Sequence, residues 1–208
     1  MDQEPASAIN LFYCHAHEDI ALCEELDKHL VTLQHSKLIV CWSKQMISSG
    51  RERKQEIKHQ LSTAQIILLL VSPDFIASYD CYEEEMEFAL KRHEADDARV
   101  IPIILRHTYW KMAPFSKLQV LPAGANPIVC WSDRDQFFVS VVAGIHKVVD
   151  EIIAKQGLNR SGRLTLESAT ETRLSSGSAP SAGKYNIRAN EINVAVLGDN
   201  NGTVNYFS

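Results

Sequence analysis

The residues best placed to do chemistry are the three carboxylates Glu83-Glu84-Glu85, with Ser78 and Cys81 just ahead of them. A fixed carboxylate can act as an acid, a base or a counter-charge to a developing cation. An acidic run also has a plain structural use, because it complements the positive end of a helix dipole. His15 and His17, with Glu18 and Asp19, could be read as metal ligands. They have no second ligand cluster, so they read as solvated loop side chains and no metal is expected. Cys14 or Cys81 with a histidine could suggest a thiol hydrolase, but no local signature supports it, and buried inert cysteine is the reading kept. Arg51, Arg53, Lys54 and Lys58 form a basic face interleaved with Glu52 and Glu56, an ordinary solvated face rather than a nucleic-acid surface. No P-loop is present, and two glycosylation sequons, at Asn159 and Asn201, have no secretion signal to give them meaning.

The elements around the carboxylates say where they sit. Ile66–Val71 is an unbroken apolar run, which reads as a strand buried on both faces at the centre of a parallel sheet. Ser72-Pro73-Asp74 ends it, and Tyr82, Met86, Ala89 and Leu90 then follow at helical spacing. The carboxylates therefore open a helix just beyond the carboxyl end of the central strand, where ligands bind in open α/β sheets. Ile9–Cys14 is the first strand, and Leu22, Leu26, Leu30 and Leu33 mark the helix after it. Leu38–Cys41 is the second strand, ending in Trp42; Ser43–Gly50 is a loop, and Ile57 and Leu61 anchor the next helix. Val100–Leu105 and Pro127–Trp131 are read as fourth and fifth strands, with Pro102 making the fourth less regular. Phe138, Val141, Val142, Ile145, Val148, Val149 and Ile152 make an amphipathic last helix.

This alternation predicts an α/β fold: a flavodoxin-like five-stranded parallel sheet in the order 2-1-3-4-5, with helices on both faces. The expected domain is residues 9–154, after a short tail at 1–8. A flexible Ser-, Gly-, Thr- and Ala-rich linker is expected at 155–183, and a β-prone tail at 184–208. The chain has 208 residues, is 45% hydrophobic and carries a net charge of −5, so neither nucleic acid nor an anionic membrane is suggested as a partner. No apolar run approaches the ~20 residues of a membrane span, and the opening MDQEPASAIN is unlike a signal peptide. The five cysteines are scattered and form no C-x-x-C pair; they read as reduced thiols in the cytoplasm.

Taken in order, LFYCHAHED, CWSKQMISSG, SPDFIASYDCYEEEMEFAL, RVIPIILRHTYW and LQVLP resemble the successive motif boxes of a TIR domain, the bacterial members most in style. The resemblance covers about Ile9–Ile152. It implies either a signalling adaptor that acts by assembling or an enzyme that cleaves NAD, releasing nicotinamide and leaving ADP-ribose or a cyclic relative. In catalytic members a glutamate follows a Ser–aromatic–Cys loop, matched here by Ser78-Tyr79-Asp80-Cys81. The bacterial-like pattern selects Glu85, directly before Met86, and the plant-like spacing would select Glu84. Glu85 is the first choice. Such a carboxylate beneath the ribose would stabilise the oxocarbenium-like state, while nicotinamide leaves neutral. Cys14, His15, Trp42, Lys44, Ser78, Cys81, Tyr109 and Trp110 are the implied substrate contacts. NAD is the substrate, with no cofactor.

The loop Ser43–Gly50, including Ile47, is the implied contact with a neighbouring TIR subunit. Three departures bear on this. Cys14 stands where serine is frequent, Lys44 where aspartate is usual, and Arg51-Glu52-Arg53 follow Gly50 where an aromatic is common.

In the tail, Tyr185, Ile187 and Ala189, then Ile192, Val194 and Val196, alternate with asparagines and other residues before the turn-forming run Gly198–Gly202. β-branched residues with low net charge and several asparagines are a signature of cross-β stacking. The core, with Val194, Val196, Gly198, Asn200 and Asn201, resembles the short amyloid signalling motifs of bacterial and fungal immune proteins, akin to the RIP homotypic interaction motif. A docked hairpin and a disordered tail are the alternatives. The function expected is an NAD glycohydrolase of an immune or cell-death type pathway. It would be switched on by self-assembly through the TIR domain and the tail, which an upstream protein with a like motif would template. A non-catalytic TIR adaptor is the other reading.

Overall fold

The structure, a computed structural model, describes residues 8–174, with side chains to residue 156. The chain separates into two units, Met1–Leu164 and Thr165–Ser208. The described elements are β1 (Ile9–Cys14), α1 (Ile20–His35), β2 (Ile39–Trp42), α2 (Arg53–Thr63), β3 (Ile66–Val71), α3 (Pro73–Ala77), α4 (Met86–Glu94), β4 (Arg99–Ile104) and α5 (Arg134–Leu174). A π-helical stretch, Asp80–Glu85, leads directly into α4.

The sheet is parallel, in the order β2-β1-β3-β4. Every residue of β3 is buried, as its unbroken apolar run requires. Strand alternation divides that run between two cores. Ile66, Leu68 and Leu70 pack with Leu26 and Leu30 of α1 and with Phe138, Val141 and Ile145 of α5. Ile67, Leu69 and Val71 pack on the opposite face with Leu61 of α2, Phe75 of α3, and Met86 and Ala89 of α4. The same alternation sends Phe12 and Cys14 of β1 to the second core.

The fifth strand is not formed. Pro127 leads into a 3-10 turn at Ile128–Cys130, tied to the sheet by Ile128 N–H donating to Leu105 O at 3.1 Å. The place beside β4 is taken by Leu121, which makes one parallel bridge to Ile103; its N–H donates to Pro102 O at 2.8 Å and its carbonyl accepts from Ile104 N–H at 2.9 Å. Pro122 has no N–H and cannot extend the pairing. α5 closes over this bridge through Gly144, where an added Cβ would lie 2.5 Å from a methyl carbon of Leu121.

Two further differences are local. The segment after β3 is not an open loop: Ser72 caps α3, accepting from Phe75 N–H at 3.0 Å, with Pro73 in the first turn. And α5 reaches Leu174, so the expected linker is helical over 155–174. Its Leu, Arg, Glu and Ala residues carry helix propensity that its Ser, Thr and Gly content obscures. The tail, with Val194, Val196, Gly198, Asn200 and Asn201, lies outside the described residues.

Candidate functional site

The carboxyl ends of β1, β2 and β3 converge on the start of α4. Cys81 and Glu85, four residues apart in the π-helical stretch, both turn inward, while Glu83 and Glu84 stay exposed. Glu85 is 6% exposed. Its two oxygens are held differently. Oε1 lies 2.7 Å from Lys44 Nζ, and Oε2 accepts from the Cys14 thiol at 3.0 Å. Glu84 is half-exposed and meets Lys54 on the surface at 3.5 Å.

Lys44 is the hub of the cluster. Besides Glu85, its ammonium reaches His15 O at 3.3 Å and Cys81 Sγ at 3.4 Å. Burial is the largest single influence and opposes its charge, but the Glu85 carboxylate, together with Cys14 and Cys81, outweighs it and raises the pKa to about 12. Taking two charges out of water is costly, so a pair this enclosed holds only because each charge has the other and further polar partners. Burial pushes the Cys14 thiol well above its ordinary value. Cys81 moves the other way, to about 7: a hydrogen bond from Cys14 outweighs burial, and the Lys44 charge adds to it. The Cys81 thiol donates to His15 O at 3.2 Å, and its backbone N–H donates to Ser78 Oγ at 3.3 Å. His15 is buried, which lowers its pKa, and its Nδ1 donates to Ala16 O at 2.8 Å. The other ring nitrogen, Nε2, is buried without a protein partner and is therefore a free acceptor.

Two cavities flank the ion pair. One, of about 120 Å³, is bordered by His15, Lys44, Gln45, Ser78, Asp80 and Cys81. The other, of about 380 Å³, lies between α2 and α4 and combines Ile57, Leu61 and Phe88 with Arg53, Lys58, Glu84 and Glu85. The sulfurs of Cys14 and Cys81 and a Glu85 oxygen lie within 4.8 Å of one another, and the Lys44 ammonium already supplies the positive charge that this donor set accommodates.

Of the residues singled out by sequence, Cys14, His15, Lys44, Ser78, Cys81 and Glu85 come together. The aromatic candidates do not. Trp42 stacks on Phe12, with ring centroids 5.2 Å apart. Trp110 packs against the second core, and Tyr109 is 78% exposed; neither borders the two cavities. In the loop Ser43–Gly50, Lys44–Met46 forms a 3-10 turn, Ser43 and Ile47 are half-buried, and Gly50 is exposed at φ +85°. Sequence reasoning missed a second polar cluster at the same edge of the sheet. Asp19, 1% exposed, accepts from the Ser72 hydroxyl and pairs with Arg106 at 3.3 Å, and Arg106 also pairs with Asp74. Arg53, Asp80 and Gln45 also border the site; they lie in or beside the motif boxes, but sequence reasoning gave none of them a role there.

The chain belongs to the TIR domain family, whose sequence model matches residues 11–138. TIR domains are signalling modules that self-associate. Over 143 residues the chain is 38% identical to an uncharacterized protein, y4lF, of Sinorhizobium fredii. That match takes in 69% of this chain and 44% of the relative, so the chain spans less than half of the relative's length. Among solved structures, the TIR domain of the Toll-related receptor TRR-2 from Hydra magnipapillata superposes with a TM-score of 0.46 at 17% identity, over 65% of this chain and 97% of that one. No helix among the described residues is long and apolar enough to cross a membrane.

Proposed function

We propose that the protein is a TIR-domain NAD glycohydrolase in which Glu85 stabilises the positive charge that develops on the ribose as nicotinamide leaves. The observation that carries this reading is the Lys44–Glu85 pair: the site already holds a cation against a buried carboxylate, 2.7 Å away. A ribosyl cation needs the same counter-charge in the same low-dielectric setting. Cleavage then requires an exchange of cations, with the Lys44 ammonium withdrawing as the pyridinium nucleoside enters. The free acceptor at His15 Nε2 suits a carboxamide N–H or a ribose hydroxyl.

The cavity beside Lys44, about 120 Å³, is small against the roughly 300–1,000 Å³ of ligand pockets. On the Lys44 side, room for a dinucleotide would come from movement of the loop Ser43–Gly50, which carries Lys44; on the other side, the cavity that Glu85 lines, about 380 Å³, already falls within that range. Contact between neighbouring subunits through that loop would couple opening to assembly. In this proposal the tail, through Val194–Asn201, gathers the chains, and a partner with a like motif templates it. A peptide of residues 184–208 should then form cross-β fibrils; one that stays soluble with seeds would remove the tail from the account.

The same ion pair favours a second reading, a TIR adaptor in which Lys44 neutralises Glu85 permanently. Glu85→Gln separates the two. The exchange is nearly isosteric and removes the charge, so it should lower nicotinamide release by at least about 100-fold with the fold intact. Loss with Glu84→Gln instead would move the reactive carboxylate by one position. Absence of release from the wild type in concentrated form would leave the adaptor.

A further inference from the structure

The geometry points to Cys81 and Cys14 as a hydroperoxide-reactive thiol pair, in which Cys81 is the attacked sulfur and Cys14 closes a disulfide with it. Four observations converge. The two sulfurs lie within 4.8 Å of each other. Cys81, although 3% exposed, borders the cavity of about 120 Å³ beside Lys44, which has the room for a small oxidant. The Lys44 ammonium, 3.4 Å from Cys81 Sγ, stabilises a thiolate there and faces a departing hydroxide. Cys14 Sγ is 3.0 Å from Glu85 Oε2, so a base stands ready for the resolving thiol. A reactive thiol beside a resolving one is the arrangement of redox-sensitive cysteines, and the downward shift of Cys81 agrees with its assignment as the nucleophile.

The steps balance. Cys81 gives up its proton and its thiolate attacks one peroxide oxygen; the O–O bond breaks, and the departing hydroxide or alkoxide takes up that proton as water or alcohol, giving the sulfenic acid. Cys14 gives its proton to Glu85 and attacks the Cys81 sulfur. The S–O bond breaks, and the departing hydroxide takes that proton as water. In sum, two thiols and one hydroperoxide become a disulfide and two waters, or a water and an alcohol; the sulfurs lose two electrons and the peroxide gains them. The disulfide removes the Cys14 hydrogen bond from Glu85 and the thiolate from Lys44, so both partners of the ion pair change environment.

The test does not depend on NAD cleavage. The full chain is treated with hydrogen peroxide, alkylated without reduction, digested and mapped by mass spectrometry. The expected product is a Cys14–Cys81 linked peptide that dithiothreitol releases, formed at peroxide levels that leave the exposed Cys130 largely unmodified. Cys14→Ser should instead accumulate a dimedone adduct at Cys81, and Cys81→Ser should give no adduct at Cys14. Oxidation of Cys130 alone, or a dimedone adduct at Cys14 in Cys81→Ser, would overturn the proposal. The wild-type map decides it even if a variant fails to fold.

Discussion

Two buried carboxylates sit at the same edge of the sheet, and their surroundings differ in kind. Asp19 is met by the Ser72 hydroxyl and by the Arg106 guanidinium, which is itself shared with Asp74. A hydroxyl and a guanidinium are strong, directional donors, and they lock the start of α1 to β3, α3 and the segment after β4. Glu85 is met by a thiol, which is a weak donor, and by a lysine ammonium, a point charge on a flexible stem. Glu85 lines the cavity between α2 and α4, whereas Asp19 lines neither of the two cavities beside the ion pair. Burial is common to both carboxylates and does not separate them. What separates them is that the partners of Glu85 are weaker donors and can withdraw, and that Glu85 borders a cavity, which is why the proposed function is placed there.

Lys44→Met should break this contrast hardest. It keeps the length of the stem but leaves Glu85 buried without a counter-charge, at a cost of about 3–5 kcal/mol in urea unfolding. In the same variant the KM for NAD should fall, because substrate no longer has to displace an ammonium. An unchanged KM would mean that Lys44 does not occupy the substrate's place. Asp19→Ala should cost less, about 1–3 kcal/mol, since it orphans the buried Ser72 hydroxyl while Arg106 keeps Asp74 and partial solvent. In that variant nicotinamide release per folded molecule should stay at the wild-type level. A drop as large as that of Glu85→Gln would erase the distinction between the two carboxylates.

Local pattern carried much of this architecture. The apolar run Ile66–Val71 marked the central strand, and the family resemblance, with its glutamate directly before Met86, pointed to Glu85, which is the glutamate that turns inward. The fifth strand misled because Pro127–Trp131 is apolar enough to look like one, while pairing beside β4 is decided by Leu121 and stopped by Pro122. The pairing of Lys44 with Glu85 was not legible. Loop conformation sets it, and in sequence Lys44 was an implied substrate contact and a departure from the usual aspartate, with nothing to mark it as the partner of Glu85. The Asp19–Ser72–Arg106 cluster was hidden for a similar reason, since its members come from three separate connections and only the fold brings them together.

The most direct test is nicotinamide release from NAD across a protein dilution series, run in parallel for the wild type and Glu85→Gln. The account predicts release by the wild type, with a specific rate that climbs steeply as the protein is concentrated, and a signal near background from Glu85→Gln throughout. Equal release by the two proteins, or none from the wild type even under crowding, would contradict it.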